Sequence, residues 1–185
     1  MQKYNKKKQN ETVPNFRPTT PLNESPTLDY LLVYPDLRKR ETEPSGGYVE
    51  MHVTHASQEA ASNVQTAICL AKLGFKVRLL PVDNVPNKRN PDAYLIDEGI
   101  EIEFKHNSTP TASAIANEIR DAKKQADYVL LHIQSNLAKG ALIQGLRSCI
   151  HRALNVQEVW IIYHEELYRF TPRQVRDDTI EHKIQ

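Results

Sequence analysis

The chain has 185 residues, 25% of them charged and 39% hydrophobic, with a formal net charge of +1. That length supports one ordinary domain with tails and its own apolar core. The near-neutral charge excludes a globally basic nucleic-acid binder but leaves local patches open.

The first 26 residues, MQKYNKKKQNETVPNFRPTTPLNESP, are polar and carry no apolar segment behind their basic residues. They read as a flexible tail rather than a secretory signal, with Lys6, Lys7 and Lys8 solvated. No stretch reaches the roughly 18 to 20 apolar residues of a membrane span. No membrane partner and a cytoplasmic site of action are therefore expected. Residues 27–170 are expected as one domain, and residues 171–185 as a polar tail.

LDYLLVY, stopped by Pro35, is a short strand or a helical turn, and YVEMHV alternates as a strand. Ser57 is a plausible N-cap for a helix through Leu73, with Ala60, Val64, Ala67, Ile68 and Ala71 on its apolar stripe and Gly74 at its end. FKVRLL reads as a strand, and NPDAYLIDEGIEIEFK as a hairpin. A helix over 112–126, a buried strand DYVLLHI, a helix over 137–153 and a last buried strand VWIIY complete the pattern. Cys69 and Cys149 lie far apart without C-x-x-C spacing, as buried free thiols would. This alternation gives an α/β domain whose mixed sheet is flanked by helices.

The hairpin carries the chemistry. Strand alternation puts Glu101, Glu103 and Lys105 on one face and Ile100, Ile102 and Phe104 on the other. A two-residue loop at Glu98-Gly99 would pair Tyr94 with Glu103 and Asp92 with Lys105, placing Asp92 on the charged face. A three-residue loop would move Asp92 to the Phe104 face. Gly99 suits the two-residue turn. Asp92 and Glu103, with the main-chain carbonyl of Phe104, then form a hard oxygen site for Mg²⁺ or Mn²⁺. Such an ion acidifies bound water, and Lys105 two residues along would orient that water and stabilise a phosphorane-like transition state.

Pro91-Asp92, followed after ten residues by Glu103-Phe104-Lys105, resembles the PD-(D/E)XK nuclease superfamily over about residues 55–163. The resemblance implies a restriction-endonuclease-like core in the order α-β-β-β-α-β. LAKLGFKVRLLP, NPDAYL, EIEFK and KKQADYVLLHI are similar to the C-terminal nuclease domains of contact-dependent growth-inhibition toxins. That similarity implies a nucleic-acid substrate, RNA (tRNA) ahead of DNA, and an immunity protein that covers the cleft.

Many superfamily members add an acid on the helix before the first core strand. Here Asn63 and Gln65 stand where similar domains often have glutamates, and Glu59 is the one acid within that helix. Glu59 either joins the site or favours the positive end of the helix dipole. Lys124 and Gln125 lie where similar domains touch the scissile phosphate, although cations also favour a helix C-terminus. His106 and Asn107 would line the rim. His52, His55 and Glu59 have loose zinc-like spacing, with nothing to converge them. Glu181-His182-Lys183 and Asp121-Ala122-Lys123 also fit (D/E)-x-K but lack an upstream Pro-Asp and a strand. The rival reading is a non-catalytic nucleic-acid or protein-binding module on the same scaffold. An unrelated α/β domain would follow if Asp92 and Glu103 lay on opposite sheet faces.

Overall fold

The computed structural model describes residues 29–55, 58–82, 85, 88–177 and 179–184. The expected tail over residues 1–26 and the expected N-cap at Ser57 lie outside them. The α/β class holds: eight strands in mixed parallel and antiparallel pairing are flanked by helices among the described residues. The described residues fall into two compact units. The amino-terminal unit holds the described chain up to Val82 together with Tyr94–Ile100, and the carboxy-terminal unit holds residues 85–93 and the chain from Glu101 onward.

In the amino-terminal unit, β1 (Tyr30–Tyr34) pairs antiparallel with β2 (Tyr48–His52), and β2 runs parallel to β3 (Lys76–Leu79). Within LDYLLVY, Tyr30–Tyr34 is thus a strand, not a helical turn. Helix α1 (Ala60–Lys72) packs on β2 and β3 and buries Ala67 and Ala71 of the expected stripe, but its buried face turns toward Asn63, Thr66 and Leu70 and leaves Ala60, Val64 and Ile68 half-buried. Its approach is close: a Cβ at Gly47 would lie 2.0 Å from the carbonyl oxygen of Ala71.

The chain changes unit within β4 (Ala93–Leu95) and again at the start of β5 (Ile100–Asn107). In the carboxy-terminal unit, β5, β6 (Tyr128–Ile133) and β7 (Glu158–Tyr163) are parallel in that order. Helices α2 (Ala112–Ala122) and α3 (Lys139–Ile150) supply the crossovers and pack against each other. Gly145 lies at their crossing, where a Cβ would come 2.5 Å from the Ala112 carbonyl oxygen. Strands β6 and β7 are buried along nearly their whole length, as their continuous apolar runs required.

Two expectations need correction here. VWIIY is not the last strand: β8 (Glu166–Phe170) returns antiparallel to β7 through a turn at His164 and Glu165, both at positive φ. That turn lacks the Asn-Gly or Asp-Gly signal that marks a two-residue hairpin. Nor are residues 171–185 a polar tail. Thr171 forms a capping box with Gln174 ahead of α4 (Pro172–Arg176), and α5 (Thr179–Lys183) follows. Val175, Ile180 and Ile184 join the core with Ile119, Leu146 and Phe170. Three well-spaced apolar residues suffice to dock an otherwise polar segment. No described helix is long and apolar enough to cross a membrane.

Candidate active site

The hairpin turn spans residues 96–99, longer than the two-residue loop expected, with the Gly99 N–H donating to the Leu95 carbonyl at 2.9 Å. Gly99 has φ 70°, the conformation for which glycine was singled out. Lengthening a loop by two residues preserves the parity of the faces. Asp92 accordingly remains beside Glu103, and its Oδ2 accepts a hydrogen bond from the Phe104 N–H at 2.8 Å.

The charged face is not a solvated one. Along β5, Glu101 is exposed, whereas Glu103 is only 5% exposed. Lys105 is partly buried and donates from Nζ to Glu103 Oε1 at 2.7 Å. Burial and then the neighbouring Asp92 charge push the Glu103 carboxyl from 4.5 up to about 8, against the pull of the Lys105 ammonium. Glu103 Oε2 is buried without a donor among the described residues. Burial and a neighbouring carboxylate both oppose charge, so Glu103 holds its proton more tightly than an ordinary carboxyl.

Farther along β5, Asn107 is fully buried rather than on the rim. Its Nδ2 donates to Thr109 O and to Glu118 Oε1, each at 3.0 Å, and its Oδ1 accepts from Ser135 Oγ at 2.6 Å. Glu118, on α2, is raised by burial, while the Asn107 hydrogen bond and the Lys105 charge pull it down. Sequence reasoning missed Glu118, although a signal existed. It sits with Ile115, Ile119 and Ala122 at i, i+3, i+4 and i+7 spacing, an acid on an otherwise apolar stripe. Ser135 had no comparable signal.

The remaining candidates are dispersed. Gln125 turns its Oε1 to the Asn90 N–H at 2.8 Å, fastening the segment that leads into Pro91-Asp92. Lys124 pairs with Asp121 at 2.8 Å. Glu59 belongs to the amino-terminal unit, exposed at the N-cap of α1 and making no capping bond. His55 uses both ring nitrogens, donating from Nδ1 to Leu80 O at 2.6 Å and meeting Asn63 Nδ2 at Nε2. It is a satisfied core histidine rather than a zinc ligand. His106 and His132 are register partners with ring centroids 6.3 Å apart, and burial holds His132 below the usual histidine range. Cys69 and Cys149 are thiols outside any disulfide and only half-buried, and burial pushes the Cys149 thiol up to about 11. Among the described residues, no three His, Cys, Asp or Glu side chains converge to hold a metal.

Residues 88–166 match the family described as contact-dependent growth inhibition CdiA C-terminal domain. The match covers less than half of the chain. It includes Asp92, Glu103, Lys105, Glu118 and Gln125, and it leaves out Glu59. A solved structure of a CdiA-CT/CdiI toxin and immunity complex from Burkholderia pseudomallei is similar at 19% identity and a TM-score of 0.47, covering 63% of this chain and 86% of that chain. No curated protein matches.

Asp92 and Glu103 are two adjacent carboxylates that could ligate a divalent cation, and Glu103 Oε2, buried without a donor among the described residues, is an oxygen such an ion would satisfy. With no third acidic or histidine ligand among the described residues, backbone oxygen and water would fill the other positions.

Proposed function

We propose that this chain is a toxin domain acting as a metal-dependent endonuclease, with RNA (tRNA) preferred over DNA. The observation that carries the reading is Glu103: buried beside Asp92, bonded by the Lys105 ammonium, its carboxyl pushed up to about 8, and its Oε2 without a hydrogen-bond partner among the described residues. Perturbed groups of this kind concentrate where chemistry is done. The family match over residues 88–166 supports the toxin assignment, and the resemblance of the hairpin motif to PD-(D/E)XK enzymes supports the nuclease class.

In this mechanism Asp92 and Glu103 hold Mg²⁺ or Mn²⁺, with the Phe104 carbonyl as a further donor. When bound, the ion supplies an acidified water and neutralises charge on the phosphate. Lys105 orients the attacking water and meets the growing negative charge with an ammonium already fixed in place. Phe104 donates its N–H to Asp92 and so holds that carboxylate against the strand. A toxin domain of this kind requires a partner in the producing cell, and an immunity protein covering the hairpin would serve.

One observation favours a rival. The lack of a third convergent ligand among the described residues suits a binding module that holds nucleic acid or protein without cutting it. Purified protein incubated with total tRNA or plasmid DNA and Mg²⁺, Mn²⁺ or EDTA separates the readings. Metal-dependent cleavage that disappears in both Asp92→Ala and Lys105→Ala is expected. Equal cleavage by the variants would remove the hairpin from the chemistry, and Mn²⁺ binding unaffected by Asp92→Ala would favour the binding module.

A further inference from the structure

We propose that Glu118 is a working part of the same site, the carboxylate that receives the Lys105 ammonium when a divalent cation takes Glu103. The inference rests on the metal-dependent reading above. Glu103 Oε2 and Glu118 Oε2 are both buried without a hydrogen-bond donor among the described residues. Both carboxylates border the same strand face: Lys105 Nζ bonds Glu103 Oε1 at 2.7 Å, and Asn107, which alternation puts on the same face of β5 as Lys105, donates to Glu118 Oε1 at 3.0 Å.

Glu118 is held for that use rather than merely buried. Asn107 grips its Oε1, and the other contacts of that amide, to Thr109 O and from Ser135 Oγ, leave no donor for Oε2. A carboxylate needed only to anchor Asn107 would work as well as a glutamine, which keeps the carbonyl acceptor and carries no charge. Lys105 is the cation that shares the β5 face with the Asn107 that grips Glu118. A cation bound to Glu103 competes with the Lys105 ammonium for the same oxygens. The displaced ammonium needs a negative group within reach, or it opposes the incoming ion. Glu118 provides that seat, keeping Lys105 inside the site as a positioned cation. Glu118 is thus a positioning residue that acts through Lys105.

The test is calorimetric titration of MnCl₂ into the full chain as wild type, Glu118→Gln, Lys105→Met and the double variant, with Asp92→Ala as the site control. Each variant is checked for folding by Trp160 fluorescence. Glu118→Gln is expected to fold and to bind Mn²⁺ on the order of tenfold more weakly than wild type, because Lys105 then stays on Glu103. With Lys105→Met already in place the competitor is gone, and Glu118→Gln is expected to leave Mn²⁺ affinity unchanged. Equal weakening in both backgrounds would mean general electrostatics and overturn the proposal, as would no weakening in either. Wild type that binds no Mn²⁺ through Asp92 would instead overturn the metal-dependent reading itself, and this inference with it.

Discussion

Replacing Glu103 by glutamine should stabilise the metal-free protein, and the gain should grow with pH. Folding raises the Glu103 carboxyl from 4.5 to about 8. Its stabilising contribution is therefore fully present below about pH 4.5, where folded and unfolded chains both hold the proton, and is lost as pH rises toward about 8. At about 1.4 kcal/mol per unit, the loss reaches about 3 kcal/mol at neutral pH and about 5 kcal/mol once Glu103 ionises fully. Glu103→Gln removes the ionisation, keeps an acceptor for Lys105 Nζ and offers Asp92 an amide donor. Its midpoint should match that of wild type near about pH 4.5 and exceed it by roughly 6 to 12 °C near neutrality. Trp160 is the sole tryptophan, fully buried on β7 in the unit that holds Glu103, so its fluorescence follows the relevant transition. A difference between variant and wild type that stays constant from about pH 5 to about pH 8 would refute the reasoning.

Three further outcomes follow from the same unit. Asn107→Ala leaves Glu118 Oε1 and Ser135 Oγ without their partner in a fully buried place, and a urea midpoint should fall by the equivalent of about 2 to 3 kcal/mol. Gly145→Ala places a Cβ 2.7 Å from the Ile115 Cβ, so α2 and α3 must separate; a loss of about 1 to 3 kcal/mol is expected in the same assay, and none would mean the helices yield freely. Because the Cys149 thiol is pushed up to about 11, iodoacetamide should label it roughly a hundredfold more slowly in native than in urea-unfolded protein, as read by peptide mass spectrometry.

The elements with strong periodicity were legible: the continuous runs of β6 and β7 and the alternation of β5, whereas α1 rotated its buried face toward Asn63, Thr66 and Leu70. What escaped had weak local signals for physical reasons. The β7–β8 turn uses His164 and Glu165 at positive φ, where tertiary pairing on both sides overrides residue preference. The segment after Phe170 docks through Val175, Ile180 and Ile184 alone, too few apolar positions for a pattern. At the site, alternation placed Glu103 and Lys105 on one face but said nothing of how deeply each sits. Depth came from long-range packing, which buries Glu103 and leaves Glu101 in water. Glu118 was readable only as an anomaly on an apolar stripe, and its partner Asn107 lies eleven residues away on another element.

The depth of Glu103 also weighs the solvated-face reading against a working site. An exposed carboxylate on a hairpin contributes little to stability and costs little. A buried one that loses about 3 kcal/mol of stability by neutral pH is a large defect in a fold whose whole margin is typically about 5 to 15 kcal/mol. A hairpin shaped for stability alone would do better with glutamine at this position, since the Lys105 contact and the Asp92 neighbour are both served by an amide. The two effects of Glu103→Gln should therefore run in opposite directions: a more stable metal-free protein and loss of Mn²⁺ binding. A hairpin of structural purpose has no reason to couple gain and loss in one residue, whereas a cation site that holds its ligand protonated until the ion arrives requires it. If Glu103→Gln stabilised the protein and left Mn²⁺ binding intact, the burial of Glu103 would have to be explained without a cation.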